Sequence, residues 1–500
     1  MMMMLAGVVG GAMAAAGPVT EVVPDLAHIR KWDESNGDTW DPFWADDGNL
    51  YAFNCDGRGF GKEGRNLAFH RLDGEDPHGL GGSLVNSMDA YGVGNAKRAD
   101  GATWKALGQE CIDGVFYCSV SRHTYGSESG DRLLRQTAVN ASLIKSTDRG
   151  KTWVRSEEEN YAHPMWPGSR FGGPFFVHYG RNGGKVVRDG ADRYVYATSP
   201  NGFWNGGDDY VLGRVERRKL PNLNPADWEY HMGGDGMARG SWTADLPKAA
   251  PILDLPARCG TGPVTYVPAL ETYLLVAWHI PTTLKKWFEP DEVRYDFYQA
   301  AHPWGPWTFI NSLSDRFIVG GHMYGPSICA KFQERVGPDV RLCLFTSGCP
   351  FDDVPQGIYK MWMIPLVLRT APPLSATMVN DDDPRIAYHG SWTVSPRRGF
   401  HDHGDDAHWT NTPGDSAELS FSGTGIEYVA EKNADHGKVE VHLDGKVMET
   451  VDLALVNFPR LSQVTVFGTR SLKPGPHTIR IVNRGPGYAV LDAFRILGGS

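Results

Sequence analysis

Carboxylates, arginines and aromatic side chains occur together in several polar, glycine-rich segments of this 500-residue chain. Examples are the segments NCDGRGFGKEG, SRHTYGSESGDRLLRQ, HPMWPGSRFGG and SPNGFWNGGDD. Flat aromatic faces and charged hydrogen-bonding groups are what a sugar ring requires of a binding site. Packing inside the fold is the competing role for each tryptophan. The candidates for sugar contacts are Arg58, Arg122, His123, Tyr125, Trp166, Arg170, Trp204, Arg258, His322 and Tyr324.

Hydrolysis of a glycosidic bond is the first chemistry that these residue types can perform. Inversion needs one protonated carboxyl for the leaving oxygen and one carboxylate that activates water, about 6.5 to 9.5 Å apart. Loops from different parts of a ring can hold two carboxyls at that separation. Asp56 and Glu292 are candidates for the acid, or for a carboxylate that tunes its pKa.

Elimination from a uronate-containing polysaccharide is the alternative chemistry. A lyase needs a base such as His123 or Tyr125 to remove the C5 proton, and a cation such as Arg122, Arg170 or Arg258 to neutralise the carboxylate. A third alternative is a protein that binds glycans without cleaving them, because carboxylates too far apart would leave only recognition.

A repeat along the chain predicts the scaffold that positions these loops. Short β-rich runs recur as LYAF at 50, VFYC at 115, RYVYA at 193, TYLLVA at 272 and VRLCLF at 340. Each run follows an apolar strand and a turn, and precedes a glycine-rich excursion and a third strand. This order predicts five four-stranded blades of a β-propeller over residues 25–372, so the fold class is all-β.

The string KSTDRGKTW at 145–153 predicts a tight turn. Asp148 can accept hydrogen bonds from the following backbone, Gly150 can adopt a positive φ, and Trp153 supplies an apolar anchor for the next strand. The string resembles the Asp-box of sialidases and other propeller proteins. It falls between the third and fourth strands of the second blade, on the face opposite the candidate loops. The chemistry is therefore expected on the other face.

The segment DPFWADDGNLY resembles the opening strand of five-bladed glycosidases such as glycoside hydrolase family 43. In that family the Asp of the Asp-Pro pair is the general base, so the resemblance implies this role for Asp41. A turn or cap before Pro42 is the competing role. The longer string WADDGNLYAFNCDGRGFG is similar to five-bladed propellers related to bacterial endo-D-arabinanases. The resemblance implies a glycoside hydrolase, with Asp56 or Glu292 completing the pair.

The residue pattern of the sequence changes after the predicted propeller. A linker is expected at 373–384, and residues 385–500 alternate polar and apolar positions between glycine-rich turns, which predicts a β-sandwich. The strings GTGIEYV, VHLDG, GPHTIRI and LDAFRI resemble the galactose-binding-like and carbohydrate-binding modules that accompany many glycosidases. The resemblance implies a sugar-binding role.

Charge and composition limit the partners. The formal net charge is -10, the pI is near 5.9 and no run of lysine or arginine occurs, which argues against nucleic acid or an anionic membrane as the main partner. A polysaccharide or oligosaccharide is the expected substrate. The apolar opening MMMMLAGVVGGAMAAAGPVTE suits a signal segment at 1–20, and a secreted or periplasmic protein is expected.

No metal or organic cofactor is expected to be required. FHDHGDDAHW at 400–409 concentrates His and Asp, but a strand sends alternate residues to opposite faces. A structural calcium ion in the sandwich or a cation in the propeller channel stays open as an alternative. Cys111 and Cys118 flank the turn IDGV, which fits either a disulfide or a buried unpaired pair.

Overall fold

The computed structural model describes residues 19–125, 135–280, 293–318, 323–348, 357–371 and 374–499. Within these ranges the chain is almost entirely β, with a single short α-helix, α1 (Glu157–Ala162). Successive antiparallel sheets form a five-bladed propeller, and a β-sandwich follows, as the sequence predicts. Within the same ranges no helix is long and apolar enough to cross a membrane.

The propeller is built from consecutive meanders. Two N-terminal strands are β1 (Glu21–Pro24) and β2 (Arg30–Lys31). The first and second blades contain β3 (Phe43–Trp44), β4 (Leu50–Gly57), β5 (Arg65–Asp73), β6 (Gly81–Asn86), β7 (Thr103–Ile112), β8 (Val115–His123) and β9 (Val139–Ser146). The third blade contains β10 (Phe175–Phe176), β11 (Tyr194–Pro200), β12 (Gly207–Glu216), β13 (Trp228–His231), β14 (Trp242–Thr243) and β15 (Pro251–Cys259).

The ring ends in a blade that also uses the N-terminus. The fourth and fifth blades contain β16 (Val264–Val267), β17 (Thr272–His279), β18 (Arg294–Ala300), β19 (Thr308–Ser314), β20 (Met323–Val336), β21 (Asp339–Gly348) and β22 (Met361–Arg369). β1 pairs antiparallel with β22, with Glu21 opposite Arg369 and Pro24 opposite Leu366. The N-terminal strand is therefore the outer strand of the last blade and closes the ring.

The repeated apolar runs are the second strands of the blades. β4 and β8 are buried on both faces because each blade packs between two neighbours. A strand buried on both faces needs apolar side chains at nearly every position, and LYAF and VFYC meet that need. This is why the repeat is visible in the sequence as continuous apolar runs rather than as alternation.

The Asp-box turn lies beside the β3–β4 turn. The backbone N–H and the hydroxyl of Thr152 donate to Asp148 at 2.9 and 2.7 Å, and Gly150 has φ of 82°. Arg149 donates to Asp46, in the β3–β4 turn, at 2.7 Å. The Asp-box therefore shares a face with the turns between first and second strands. The ends of β4, β8 and β17 point to the other face.

The C-terminal unit consists of three small sheets. Its strands are β23 (Ala376–Asn380), β24 (Ile386–His389), β25 (Thr393–Pro396), β26 (Asp406–Thr410), β27 (Ser416–Gly423), β28 (Gly425–Lys432), β29 (Lys438–Leu443), β30 (Lys446–Asp452), β31 (Leu461–Thr469), β32 (Gly475–Asn483), β33 (Ala489–Leu491) and β34 (Ala493–Leu497). β23 pairs with β34 along its whole length and lies inside the segment predicted as a linker. The sandwich therefore starts before residue 385, the start that the residue pattern predicts.

The sandwich packs on the propeller through β31. Leu461 and Val464 are fully buried and belong to the same apolar core as Ile29 and Leu366 of the fifth blade. Leu461 also forms a β-bridge with Ile318. The two units share a hydrophobic contact rather than only a tether.

The cysteines of the described residues are free and buried; they are Cys55, Cys111, Cys118, Cys259, Cys329 and Cys343. In the β7–β8 hairpin Cys111 lies opposite Phe116, and Cys118 lies opposite Gln109. The register therefore does not set Cys111 against Cys118, because the two-residue turn at Asp113 and Gly114 pairs Ile112 with Val115.

Candidate active site

One polar side chain from each blade contributes to a buried cluster in the middle of the ring. Its members are Asp41, Glu110, His178, Thr265 and Ser327, and we call it the axial cluster. His178 lies 3.1 Å from Asp41 Oδ1 through Nε2 and 2.9 Å from Glu110 Oε2 through Nδ1. The Ser327 hydroxyl donates to Asp41 Oδ1 at 2.6 Å, and His178 forms a backbone bridge with Thr265. The cluster links all five blades.

The axial cluster holds a charged imidazolium between carboxyl groups. Burial lowers the pKa of His178, but the carboxylates of Asp41 and Glu110 outweigh it and raise that pKa to about 10. Both oxygens of Asp41 are occupied, since the backbone N–H of Gln109 donates to Oδ2 at 3.2 Å. Asp41 is 3% exposed. Asp41, the general base that the family resemblance implies, is therefore part of a buried cluster in which both of its carboxyl oxygens have hydrogen-bond partners.

A second pair of carboxyls, Asp38 and Asp56, lies at the funnel end of the first blade. Asp38 and Cys55 exchange backbone hydrogen bonds of 2.9 and 2.8 Å, and Asp56 is the next residue after Cys55. The Tyr359 hydroxyl lies 3.1 Å from Asp38 Oδ2 and 3.0 Å from the backbone oxygen of Asp56. Lys105 forms an ion pair with Asp56 Oδ2. We call Asp38 and Asp56 the carboxyl pair.

Asp38 is held in an environment that favours its protonated form. It is 6% exposed, and its Oδ2 accepts a hydrogen bond of 2.7 Å from Tyr324. Burial raises the pKa of Asp38, and this outweighs the opposing effects of Lys105 and of the Tyr324 and Tyr359 hydroxyls. The Oδ1 atom is buried and has no hydrogen-bond partner among the described residues. A buried carboxyl with a free oxygen is a candidate proton donor.

Asp56, in contrast to Asp38, forms an ion pair. The ammonium of Lys105, itself 4% exposed, neutralises Asp56 through Oδ2. Oδ1 of Asp56 is buried and has no hydrogen-bond partner within the described ranges. Each member of the carboxyl pair therefore has one oxygen with a bonded partner and one buried oxygen without a partner among the described residues.

The backbone is strained at both carboxyls. Asp56 has φ of 48°, and Thr39, which follows Asp38, has φ of 58°. Positive φ is a real outlier for a β-branched residue such as Thr39. Such conformations persist where the surroundings over-determine them, and they cluster at functional sites. The Trp40 indole donates to the Gly37 carbonyl at 3.0 Å and fixes this turn.

An aromatic wall stands beside the carboxyl pair. Trp204 lies 5.2 Å from Trp278 and 5.5 Å from Tyr324 between ring centroids, and 6.1 Å from the ring of His123. Tyr324 connects this wall to Asp38 through its hydroxyl. The buried indole N–H of Trp204 has no acceptor among the described residues. Three of the predicted sugar contacts, His123, Trp204 and Tyr324, are therefore brought together with Asp38.

His123 is neutral in this site. Burial, with a smaller effect of Lys105, lowers the pKa of His123 to about 3. Its Nε2 lies 2.8 Å from Gln136 Oε1. Tyr125 is 46% exposed, with its ring 5.6 Å from that of His123. His123 is therefore suited to hydrogen bonding and is a weak base.

Several other predicted contacts lie within the blades. Arg122 donates to Asp100 at 2.7 Å, on the opposite side of β8 from His123. Arg170 forms an ion pair of 2.7 Å with Asp209. Trp166 is 2% exposed and packs in the core of the third blade. The structure places these three residues in blade packing, away from the carboxyl pair.

Two predicted arginines lie at the rim. Arg258 forms an ion pair with Asp296 in the fourth blade and is 42% exposed. Arg58, two residues after Asp56, donates to the Gly61 carbonyl at 2.9 Å and lines a cavity of about 430 Å³. Both can reach solvent near the funnel. Glu292 and His322, the remaining predicted site residues, lie outside the described residues.

Sequence reasoning missed Asp38, Lys105 and Tyr359. The string GDTWDP holds two aspartates three residues apart, and the family resemblance selected the second of them. Lys105 stands in TWKALGQE, within a strand that is buried at every position. A lysine in such a strand is rarely tolerated without a paired anion, which is the signal that could have found it. Tyr359 carries no signal in its own segment.

No group of three or more His, Cys, Asp or Glu side chains that could hold a metal ion occurs in the described part of the chain. The histidines and aspartates of 400–409 are divided between separate contacts. His408 pairs with Asp381 at 2.6 Å, and Asp402 lies 3.4 Å from Arg398.

The fold and the site define a class of propeller proteins with a buried carboxyl pair and an aromatic wall. No family model matches the chain. Two curated relatives of Flavonifractor plautii are similar to parts of it. An A type blood N-acetyl-alpha-D-galactosamine deacetylase is 32% identical over 120 residues, which are 24% of this chain and 15% of that protein. An A type blood alpha-D-galactosamine galactosaminidase is 31% identical over 123 residues, 25% of this chain and 11% of that protein.

Among solved structures, the exo-beta-1,3-galactanase of Phanerochaete chrysosporium covers 92% of this chain and 96% of its own, with 11% identity and a TM-score of 0.39. A family two carbohydrate esterase from Cellvibrio japonicus covers 25% of this chain and 34% of its own, with 16% identity and a TM-score of 0.18. The chain spans less than a sixth of the length of either curated relative. The propeller described above rests on the strand pairing of this chain itself.

Proposed function

We propose that this protein is a glycan-active enzyme that hydrolyses a glycosidic bond at the carboxyl pair. The observation that carries the proposal is the contrast between two carboxyls that both interact with Lys105. Burial raises the pKa of Asp38, while Asp56 is held as a carboxylate by Lys105. When the surroundings of two titratable groups move their pKa values apart, the group with the higher pKa is the acid and the other is the base.

Asp38 is the proposed general acid. We assign the transferred proton to Oδ1, which has no partner among the described residues, while Oδ2 stays bonded to Tyr324. Asp56 is the proposed base or nucleophile, with Oδ2 fixed by Lys105. Both routes pass through a transition state with positive charge on the sugar, which the Asp56 carboxylate stabilises.

Sugar recognition is assigned to the aromatic wall. Trp204, Trp278 and Tyr324 form one buried aromatic cluster, and the indole N–H of Trp204 would offer a donor to a sugar hydroxyl. The names of the two curated relatives, which act on galactosamine-containing blood-group structures, support a glycan as the substrate. The proposed substrate is therefore a polysaccharide or oligosaccharide.

The electrostatics support hydrolysis over elimination. A lyase would need His123 or Tyr125 as the base that removes a carbon-bound proton. His123 has a pKa of about 3 and is therefore too weak a base at neutral pH. Two of the arginines that would neutralise a uronate, Arg122 and Arg170, are committed to ion pairs inside the blades.

The first test is a panel of plant, algal and bacterial polysaccharides, with new reducing ends and ultraviolet absorbance followed together. Hydrolysis produces reducing ends without absorbance, because no double bond forms. Absorbance rising with the ends would establish elimination and overturn the proposal. Retained glycan binding with neither signal would favour a binding protein.

The residue assignment is tested with Asp38→Asn and Asp56→Asn on the substrate found in that panel. Each should lower kcat by a factor of about 10² to 10⁴, the contribution of positioned acid–base groups. Asp46→Asn is the matched control, because Asp46 pairs with Arg149 on the opposite face. If Asp41→Asn alone abolished kcat while leaving the melting temperature unchanged, the assignment would move to the axial cluster.

Export and a sugar-binding role for the sandwich complete the proposal. Export is supported by the apolar opening of the sequence, which lies outside the described residues. The sandwich role is supported by the resemblance of its strands to carbohydrate-binding modules. Binding of the expressed sandwich to the polysaccharide that the propeller cleaves is the measurement that checks it.

A further inference from the structure

Two cysteines face each other across the central hairpin of the fifth blade. Cys329 in β20 and Cys343 in β21 are direct partners in the antiparallel ladder. Both are buried, and both belong to one apolar cluster between the fifth and first blades. No other pair of partner positions in the described strands carries two cysteines.

Direct antiparallel partners satisfy the first requirement of a disulfide. Their Cα atoms lie about 4.5 to 5.5 Å apart, and a disulfide accepts Cα separations of about 4.4 to 6.8 Å. Partner side chains also leave the ladder on the same face. We propose that Cys329 and Cys343 are a modification site, where a disulfide cross-links β20 to β21 when the chain folds in an oxidising environment.

The cross-link forms by exchange with an external disulfide. One cysteine thiolate attacks the oxidant and releases its first thiol, which leaves a mixed disulfide. The other cysteine thiolate then attacks the protein sulfur of the mixed disulfide and releases the second thiol. The two thiols lose two protons and two electrons, and the oxidant, a low-molecular-weight disulfide, leaves as two thiols. The sulfur–sulfur bond of the oxidant breaks and the bond between Cys329 and Cys343 forms.

The timing follows from burial. Burial raises the pKa of the Cys329 thiol to about 12, which leaves almost no thiolate in the folded protein at neutral pH. Exchange therefore takes place while the hairpin forms and both thiols are still accessible. A chain that has folded under reducing conditions keeps both thiols.

The cross-link would act on the site as well as on the fold. β20 carries Tyr324, which donates to Asp38, and Ser327, which donates to Asp41. β21 pairs with β22, the strand that holds β1 and closes the ring. A disulfide at Cys329 and Cys343 fixes the strand that supplies both donors, in the blade where the ring is sealed.

The test is to refold the full chain with a mixture of oxidised and reduced glutathione, and in parallel with reductant alone. After denaturation without reductant, free thiols are alkylated and the peptides are mapped by mass spectrometry. We expect a peptide pair joined through Cys329 and Cys343 only in the glutathione sample. Alkylation of both cysteines in that sample, or a different cross-linked pair, would overturn the proposal.

Urea unfolding of cysteine variants provides a second test. The glutathione-refolded protein should unfold at a higher urea concentration than the reduced protein, and Cys343→Ala should remove this difference. Cys111→Ala is the matched control, because Cys111 lies opposite Phe116 and should keep the difference. A Cys343→Ala protein that retained the full difference would also contradict the proposal. The glycan hydrolysis assay is not used, so this outcome is independent of the proposed activity.

Discussion

At the scale of single residues, Lys105 couples the charges of the carboxyl pair. It ion-pairs with Asp56, and its charge opposes the burial that raises the pKa of Asp38. In Lys105→Met the pKa of Asp38 should therefore rise further. Activity that needs protonated Asp38 is lost as pH rises through this pKa, so the alkaline limb of the kcat profile should move to higher pH.

Arg149→Met is the control for that profile. Arg149 also ion-pairs with an aspartate, Asp46, but on the face that carries the Asp-box. Its removal should leave both limbs of the kcat profile in place. If Lys105→Met shifted neither limb, or shifted the alkaline limb to lower pH, Asp38 would not be the acid.

Two tryptophans that look alike in the sequence should behave differently. Trp204→Phe removes an indole N–H that has no acceptor among the described residues, so KM should rise roughly threefold to tenfold, the value of one hydrogen bond. Trp166→Phe leaves the buried Tyr230 hydroxyl without its donor and should cost about 1 to 3 kcal/mol of stability. KM measurements and urea unfolding on both variants check this, and a KM effect in Trp166→Phe would contradict the assignment.

At the scale of elements, the blades could be predicted because their second strands are apolar on both faces. The tight turn at 145–153 was also predictable, since Asp148, Gly150 and Trp153 act locally. Asp38 was not, because its role depends on Tyr324 and Tyr359, which are distant in the chain. Local patterns identify strands and turns, whereas a site assembled across blades depends on contacts that no local pattern contains.

The β26–β33 region of the sandwich should be sensitive to pH. Burial, with the neighbouring Asp402 carboxylate, raises the pKa of Asp492 to about 8. The ordinary pKa is 3.8, so the folded state binds a proton that the unfolded state releases between these values. Stability from this group is therefore present at low pH and is lost as pH rises through about 8.

Asp492→Asn removes that charge and keeps an oxygen for the backbone N–H of His403. At pH 8 its melting temperature should exceed that of the original protein by roughly 4 °C or more, the effect of about 1 kcal/mol in a small domain. The difference should shrink as pH falls towards 4. Calorimetry over this pH range is the measurement, and a lower melting temperature for the variant at pH 8 would be the contrary result.

At the scale of the whole molecule, β31 makes the propeller and the sandwich one apolar body. Leu461 is fully buried in the core shared with the fifth blade. Leu461→Asp places a charge there and should split one calorimetric transition into two, since each unit then unfolds alone. Val447→Asp is the control, because Val447 is 58% exposed. A single unchanged transition in Leu461→Asp would show that the contact does not couple them.

The closing strand also has a consequence in the order of synthesis. β1 leaves the ribosome long before its partner β22, which ends at residue 369. At about 5 to 20 residues per second, β1 waits roughly 17 to 70 s for that partner. During this interval no nascent chain can seal the ring, so every blade made before the fifth exists as an open arc. Until β22 is synthesised, a chaperone that binds the nascent chain therefore binds a propeller whose ring is still open.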